Sequence, residues 1–250
     1  MSHGDGEVAS KAGHRAHGSS AASGNDFSIA RKPLWFAESR AAMKHLIFAA
    51  LLGSPIHALP ADDLPLPVTP GEVIVTEDFS KPDATANWRW GAGKWTVADG
   101  VLKGTETAER KHAAGIACQR NYHDAVIQFR FQFAGGRDAI LLLRNKFGNL
   151  CRVVISPGSM VITKDRPNLP KDTREKPVTL GTAPLKLEPG KWYSVTAVVH
   201  GGEFAVTLHD HATLKVKHPA IDVDKTEIEF LASGDSILFD DLKARTISAK

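Results

Sequence analysis

The stretch that most constrains this chain is Ala125-Val126-Ile127-Gln128-Phe129-Arg130-Phe131-Gln132-Phe133. Ile127, Phe129, Phe131 and Phe133 fall at every second position, with Gln128, Arg130 and Gln132 between them. A helix would scatter these residues around its axis, whereas a strand sends successive side chains to opposite faces. The segment is therefore a strand with one apolar face and one polar, wet face. Such a strand needs an apolar partner layer, which points to a sandwich rather than an open ribbon.

The rest of the chain supplies that layer. Trp95 to Gly104 reads as a hairpin whose turn is Asp99-Gly100, a pair that tolerates the two positive φ values of a type I′ turn. Gly201-Gly202 joins Trp192–Val199 to Glu203–Leu208 in the same way. Further strands are expected at Val73–Phe79, 114–118, 140–144, Leu150–Ile155, Met160–Lys164, 213–216, 227–231 and 236–239. Pro82 to Trp90, which carries Trp88 and Trp90, reads as an irregular loop. Asp165 to Gly181, polar with three prolines, reads as a long one. Turns recur every 8–12 residues, and neither a long amphipathic helix nor a phosphate-binding glycine pattern appears. The expected fold is all-β, a jelly-roll sandwich of two antiparallel sheets over residues 72–250.

The 71 residues before it divide into three. Residues 1–42 are rich in Gly, Ser, Ala and His, without hydrophobic period, and cannot offset chain entropy by burial. His3, His14, His17 and His45 are too irregularly spaced for a metal site. Met43-Lys44-His45 then leads into the apolar run Leu46–Gly53, followed by Pro55 and Ala58. That is the anatomy of a secretory signal peptide, 43–58, starting at Met43 and cleaved after Ala58 or Ala61. An uncleaved anchor is the competing reading, but the run falls short of the ~20 residues of a membrane span. Residues 59–71 read as a Pro-rich linker. The mature protein is thus expected to be exported, periplasmic or extracellular, without a transmembrane span.

Charge excludes one class of partner. The net charge is +3 and the Lys and Arg residues are interspersed with Asp and Glu, so no basic stripe indicates nucleic acid. The two cysteines, Cys118 and Cys151, lack metal-ligand spacing. They either pair, if the compartment is oxidising and the geometry allows, or sit as small buried residues. No cofactor is required by any motif.

The elements also carry a family resemblance. Glu77-Asp78-Phe79, the Trp95–Leu102 pattern W-x-V-x-D-G-x-L, Asp124 with Phe129-Arg130-Phe131, Pro189-Gly190-Lys191-Trp192-Tyr193-x-Val195 and Phe239-Asp240-Asp241-Leu242 occur in the order seen in the 3-keto-disaccharide hydrolase domain family, formerly a domain of unknown function. The resemblance covers most of residues 72–247. It implies a concanavalin-A-like jelly roll and an exported protein that handles carbohydrate. Family members commonly carry a Gly-Asn-Ser-Gly-type segment and an arginine after the Phe-x-Phe strand. Here that region reads Gly135–Arg144, and Arg144 occupies the arginine position.

Candidate site residues follow. For a sugar ligand they are Arg130, Gln128, Arg144, Arg152, His112 and Trp90: aromatic faces pack on sugars while Arg and Gln bond their hydroxyls. Glu106 and His112 form a loose acid–base candidate. Glu227-Ile228-Glu229 has the alternation of paired carboxylates, but Lys225 and Phe230 around it read as an ordinary edge strand. Glu77, Asp78, Asp240 and Asp241 would converge on a calcium ion if the first and last strands pair; otherwise they are solvated acidic turns. His209-Asp210-His211 reads as an exposed turn. Carbohydrate binding is the leading functional expectation. Glycoside or 3-keto-disaccharide hydrolysis is the alternative, and a structural or surface-interaction role the third.

Overall fold

A computed structural model describes residues 64–109, 112–166 and 176–248. The expected extension, the signal peptide and residues 59–63 of the linker lie outside these, as does 167–175 of the long loop. Among the described residues no helix is long and apolar enough to cross a membrane.

Among the described residues fifteen strands form two antiparallel sheets. They are β1 (Pro70–Glu77), β2 (Arg89–Trp90), β3 (Lys94–Ala98), β4 (Val101–Thr105), β5 (Ala114–Tyr122), β6 (Ala125–Phe133), β7 (Gly136–Asn145), β8 (Gly148–Ser156), β9 (Ser159–Lys164), β10 (Val178–Pro184), β11 (Trp192–His200), β12 (Glu203–Leu208), β13 (Ala212–Lys217), β14 (Lys225–Gly234) and β15 (Ile237–Ile247). The first sheet runs β13-β12-β11-β6-β15-β4-β3, with β1 also on β15. The second runs β10-β9-β8-β7-β14-β5-β2. This is the jelly-roll sandwich expected from the alternation.

Both predicted hairpins form. Asp99 and Gly100 take φ values of 54° and 74°, as a type I′ turn demands. In this hairpin Trp95 pairs with Gly104. A Cβ at 104 would lie 2.6 Å from the Trp95 ring, so glycine is what lets the indole lie flat. The β6 phenylalanines point inward, and Phe129 meets Phe230 of β14 and Phe239 of β15. Phe230 and Phe239 stack at 4.5 Å and 16°, and Phe129 lies 5.0 Å from Phe230. This aromatic contact ties the two sheets together, because β14 and β15 belong to different ones.

Several expectations are corrected. The linker does not stay free: Leu66 is buried against Val126, Val198 and Ala205, so this part of it straps the outer face of the first sheet. Trp90 belongs to a short strand rather than to loop. The long loop ends early, because β10 begins at Val178. The cysteines are free and buried. Cys118 pairs in register with Ile228, Ile228 with Leu143, and Leu143 with Cys151. Three strand spacings of ~4.8 Å separate them, about 14 Å, which no disulfide spans. Burial pushes both thiols up, Cys151 to about 12. The native protein should therefore keep the mass of two reduced thiols after air oxidation, and a disulfide-forming thiol reagent should modify neither cysteine until denaturant is added.

One end of the sandwich carries a histidine clasp. The Nδ1 of His123 meets Asp224 at 2.8 Å and its Nε2 meets Asp222 at 3.0 Å, joining the β5–β6 turn to the segment before β14. The two aspartates raise the pKa of His123. A raised folded-state pKa stabilises the fold below the unfolded value of ~6.5 and loses that contribution as pH rises through the folded value. His123→Gln should accordingly lower the thermal midpoint at pH 5.5 and leave it nearly unchanged at pH 9, read by calorimetry across that range.

Candidate functional site

The outer face of the second sheet holds a cluster of paired charges. β14 lies mid-sheet between β7 and β5, not at an edge. Ile228 and Phe230 point into the core, so Glu227 and Glu229 must point outward. Register places Glu227 opposite Arg144 of β7 and Gln119 of β5, and Glu229 opposite Leu142 and Ala117. Ala117 in turn pairs with Arg89 of β2. Gly115 and Ala117 on β5 are small, which leaves room for Arg89 to reach across. A Cβ at Gly115 would lie 2.9 Å from Glu229 Oε1.

The result is a row of alternating charges contributed by β2, β14 and β7, reaching across β5. Arg89 donates from Nε to Glu227 Oε1 at 3.0 Å and from Nη2 to Oε2 at 2.7 Å, a bidentate fork. Its Nη2 also reaches Glu229 at 3.4 Å. Arg144 closes the row from the other side. Its Nε lies 2.9 Å from Glu227 Oε2, and its Nη1 donates to Glu229 Oε2 at 3.0 Å and Asn149 at 2.8 Å. One strand further, Arg152 forms a bidentate pair with Asp165 at the end of β9. Three guanidinium groups thus face three carboxylates.

Protonation limits the chemistry. Burial would raise the pKa of Glu227, but the Arg89 hydrogen bonds, with the Arg89 and Arg144 charges, outweigh it and hold the carboxyl below its ordinary value. The same contact raises Arg89. A glycosidase acid must keep its proton near neutral pH, so its pKa must be raised. Glu227 and Glu229, two positions apart and about 6.6 Å along the strand, share both arginines. They are hydrogen-bond acceptors held in place by the two guanidinium groups.

The expected site residues distribute over both outer faces. Arg144 and Arg152 sit on the paired strands β7 and β8, as the turn at Phe147-Gly148-Asn149 implied. Arg130 and Gln128 are on the first sheet, on the opposite side of the molecule. Arg130 lies over the Trp192 ring at 4.9 Å and bonds Asp241 at 2.9 Å. The Gln128 amide reaches Thr196 at 3.5 Å. Trp90 is 55% exposed, but alternation turns it away from the side of Arg89. Glu106 accepts from the Gly234 N–H at 2.8 Å and His112 meets the Ala113 carbonyl at 2.9 Å; no bond joins the two as an acid–base pair.

The acidic termini do meet in part. β1 pairs with β15, and Glu77 sits opposite Leu242. The four carboxylates nevertheless have local partners, and Arg130 Nη1 lies 3.9 Å from Asp240 as well as 2.9 Å from Asp241. Glu77 accepts from Phe79 N–H, Asp78 caps Ser80, Asp240 accepts from Asp241 N–H, and Asp241 is taken by Arg130. Among the described residues no three His, Cys, Asp or Glu side chains group as metal ligands.

Arg89, Glu227, Glu229 and Asp165 are the members that sequence reasoning missed or set aside. Arg89 and Asp165 fall in segments read as loop. A usable signal was the opposite charge of Arg144 and the Glu227–Glu229 pair, each at the polar positions of alternating strands.

No protein-family model matches the chain, and no curated protein matches it. Among solved structures it is similar to carbohydrate-binding module CBM66 from Bacillus subtilis (TM-score 0.52, 11% identity, 64% of this chain and 95% of that one). A B. subtilis protein with a galectin-like fold aligns at TM-score 0.55 and 9% identity, over 73% of this chain and all of the other. A LamA variant from Z. galactanivorans, in complex with laminaritriose and laminaritetraose, aligns at 0.53 and 12%, over 71% of this chain and all of the other. At such identities the likeness is one of fold: a jelly-roll β-sandwich of two antiparallel sheets.

Proposed function

We propose that the protein is an exported carbohydrate-binding β-sandwich, and that the outer face of its second sheet is the binding face. The observation that carries the reading is the Arg89–Glu227–Glu229–Arg144 row. Its donors and acceptors are fixed by their mutual bonds, so they are ordered before a ligand arrives, and preorganised groups lose little entropy on binding. Planar forks and carboxylates are good partners for sugar hydroxyls, which both donate and accept. Export rests on the Met43–Ala58 segment and carbohydrate as ligand on the fold shared with CBM66 and LamA.

A second reading has its own support. Arg144 occupies the arginine position of the 3-keto-disaccharide hydrolase family, and Glu227 and Glu229 alternate on one strand beside it. Hydrolysis requires a protonated acid, and the arginine contacts hold Glu227 below its ordinary pKa, which ranks this reading below binding.

The test is a glycan-array screen of the full chain, with each hit then incubated and assayed for released sugar. Retention without release is the expected result. Release would replace binding by hydrolysis, and no retention would leave neither reading standing.

A further inference from the structure

Next to the charged row lies a groove of about 350 Å³, lined by Arg144, Asn145, Lys146, Phe147, Gly148, Thr226 and Glu227. It is at the lower end of the ~300–1,000 Å³ range of small-ligand sites. Its wall is the tip of the β7–β8 hairpin, where Asn145 pairs with Gly148 across a two-residue loop. Phe147 stands in that loop, 47% exposed. The tip is not loose: the Phe147 N–H donates to Asn145 Oδ1 at 2.9 Å, and Gly148 takes a φ of 105° that favours glycine. Lys146 Nζ covers one side of the ring, 5.1 Å from its centroid.

We propose that Phe147 is the specificity-determining platform of this face, packing against the apolar face of a neutral pyranose whose hydroxyls are bonded by Arg144 and Glu227. The proposal rests on the carbohydrate-binding reading and names the ligand class within it. A pyranose presents C–H groups on one side and hydroxyls around its edge, so it needs a flat apolar surface at an angle to polar groups. The hairpin places that surface beside Arg144, whose Nε and Nη1 are held by Glu227, Glu229 and Asn149 and so fix the guanidinium plane at the groove. Neutrality follows from the balance of the lining. Arg144 and Lys146 stand against Glu227 and, behind it, Glu229, so no excess of either sign draws a charged sugar onto Phe147.

The experiment uses the full chain on an array of neutral oligosaccharides (β-1,3-, β-1,4- and α-1,4-glucans, xylan, mannan) beside polygalacturonate and alginate oligosaccharides. Wild type, Phe147→Ala and Phe147→Trp are compared, with calorimetric titration of the strongest neutral hit. The expected result is retention of a neutral glycan, about tenfold weaker binding for Phe147→Ala, and undiminished binding for Phe147→Trp. All three proteins should share one thermal midpoint, because the tip is exposed. If Phe147→Ala binds like wild type while Arg144→Met/Glu229→Leu does not, the platform is wrong and the binding face stands. If the acidic oligosaccharides are preferred, the ligand class is wrong. If wild type retains no glycan, the platform falls together with the face.

Discussion

Replacing Arg144 by Ala should cost the protein about 3 kcal/mol of stability and all of its glycan binding. Arg144 is the only described group on its side of the row that contacts both Glu227 and Glu229. The side chains of these glutamates are 12% and 6% exposed. Removing the guanidinium leaves two carboxylates with the single cation Arg89, and an unpaired charge out of water is expensive. The loss should fall at the lower end of the ~3–5 kcal/mol range, because the Arg89 fork to Glu227 survives. Arg144→Met combined with Glu229→Leu removes a cation and an anion together. It should recover most of the stability in urea unfolding, since a buried ion pair replaced by apolar groups of similar volume is often neutral. Binding should stay lost. The pair of variants therefore separates what the row does for folding from what it does for the ligand. The acid limb has a defined sign as well. Glu227 is held below its ordinary pKa, so its contribution is present above the unfolded value of ~4.3 and disappears as pH falls through the lower folded value.

The second large effect belongs to the core. Phe230→Ala should destabilise the fold by about 3–5 kcal/mol, the sum of lost transfer energy and the cavity left behind. Phe230 is fully buried, stacks on Phe239 and tilts against Phe129. Phe129 and Phe239 come from the first sheet and its register partners Ile116 and Leu141 from the second, each fixed by strand pairing, so collapse around the void is restricted. Because Glu229 and Leu231 flank Phe230 on the same strand, a strand shifted by the void would also move the charged row. Chemical unfolding gives the magnitude. A loss below ~1 kcal/mol would mean that the sheets are held by something other than this aromatic contact.

The architecture was legible because it depends on local pattern. Period-two alternation at 125–133 and positive-φ turn residues at Asp99-Gly100 act over a few residues, and the two sheets follow from them. The site was legible only in part, because it depends on which strands become neighbours. Arg144 and Arg152 were found through one hairpin. Arg130 and Gln128 share their polar character, yet alternation alone does not say which sheet a polar face belongs to, and they lie on the other side. Glu227 and Glu229 were set aside as an edge because Lys225 sits beside them. In the structure Lys225 is buried, donating to the His123 carbonyl, and β14 takes partners on both sides from strands far away in sequence. Arg89 falls in a strand of two residues, too short to show any period. The apolar Leu64, Leu66 and Val68, alternating with prolines, look like a linker until Val126, Val198 and Ala205 are seen to need a cover.

The central claim is that the second sheet's outer face binds carbohydrate, and its most direct test is one titration. The strongest glycan-array hit is titrated into three folded proteins: wild type, Arg144→Met/Glu229→Leu, and Arg130→Ala on the opposite face. Binding by wild type and Arg130→Ala, with none by the double variant at an equal thermal midpoint, is the predicted result. Undiminished binding by the double variant, or its loss in Arg130→Ala alone, would contradict the claim and move the site to the first sheet.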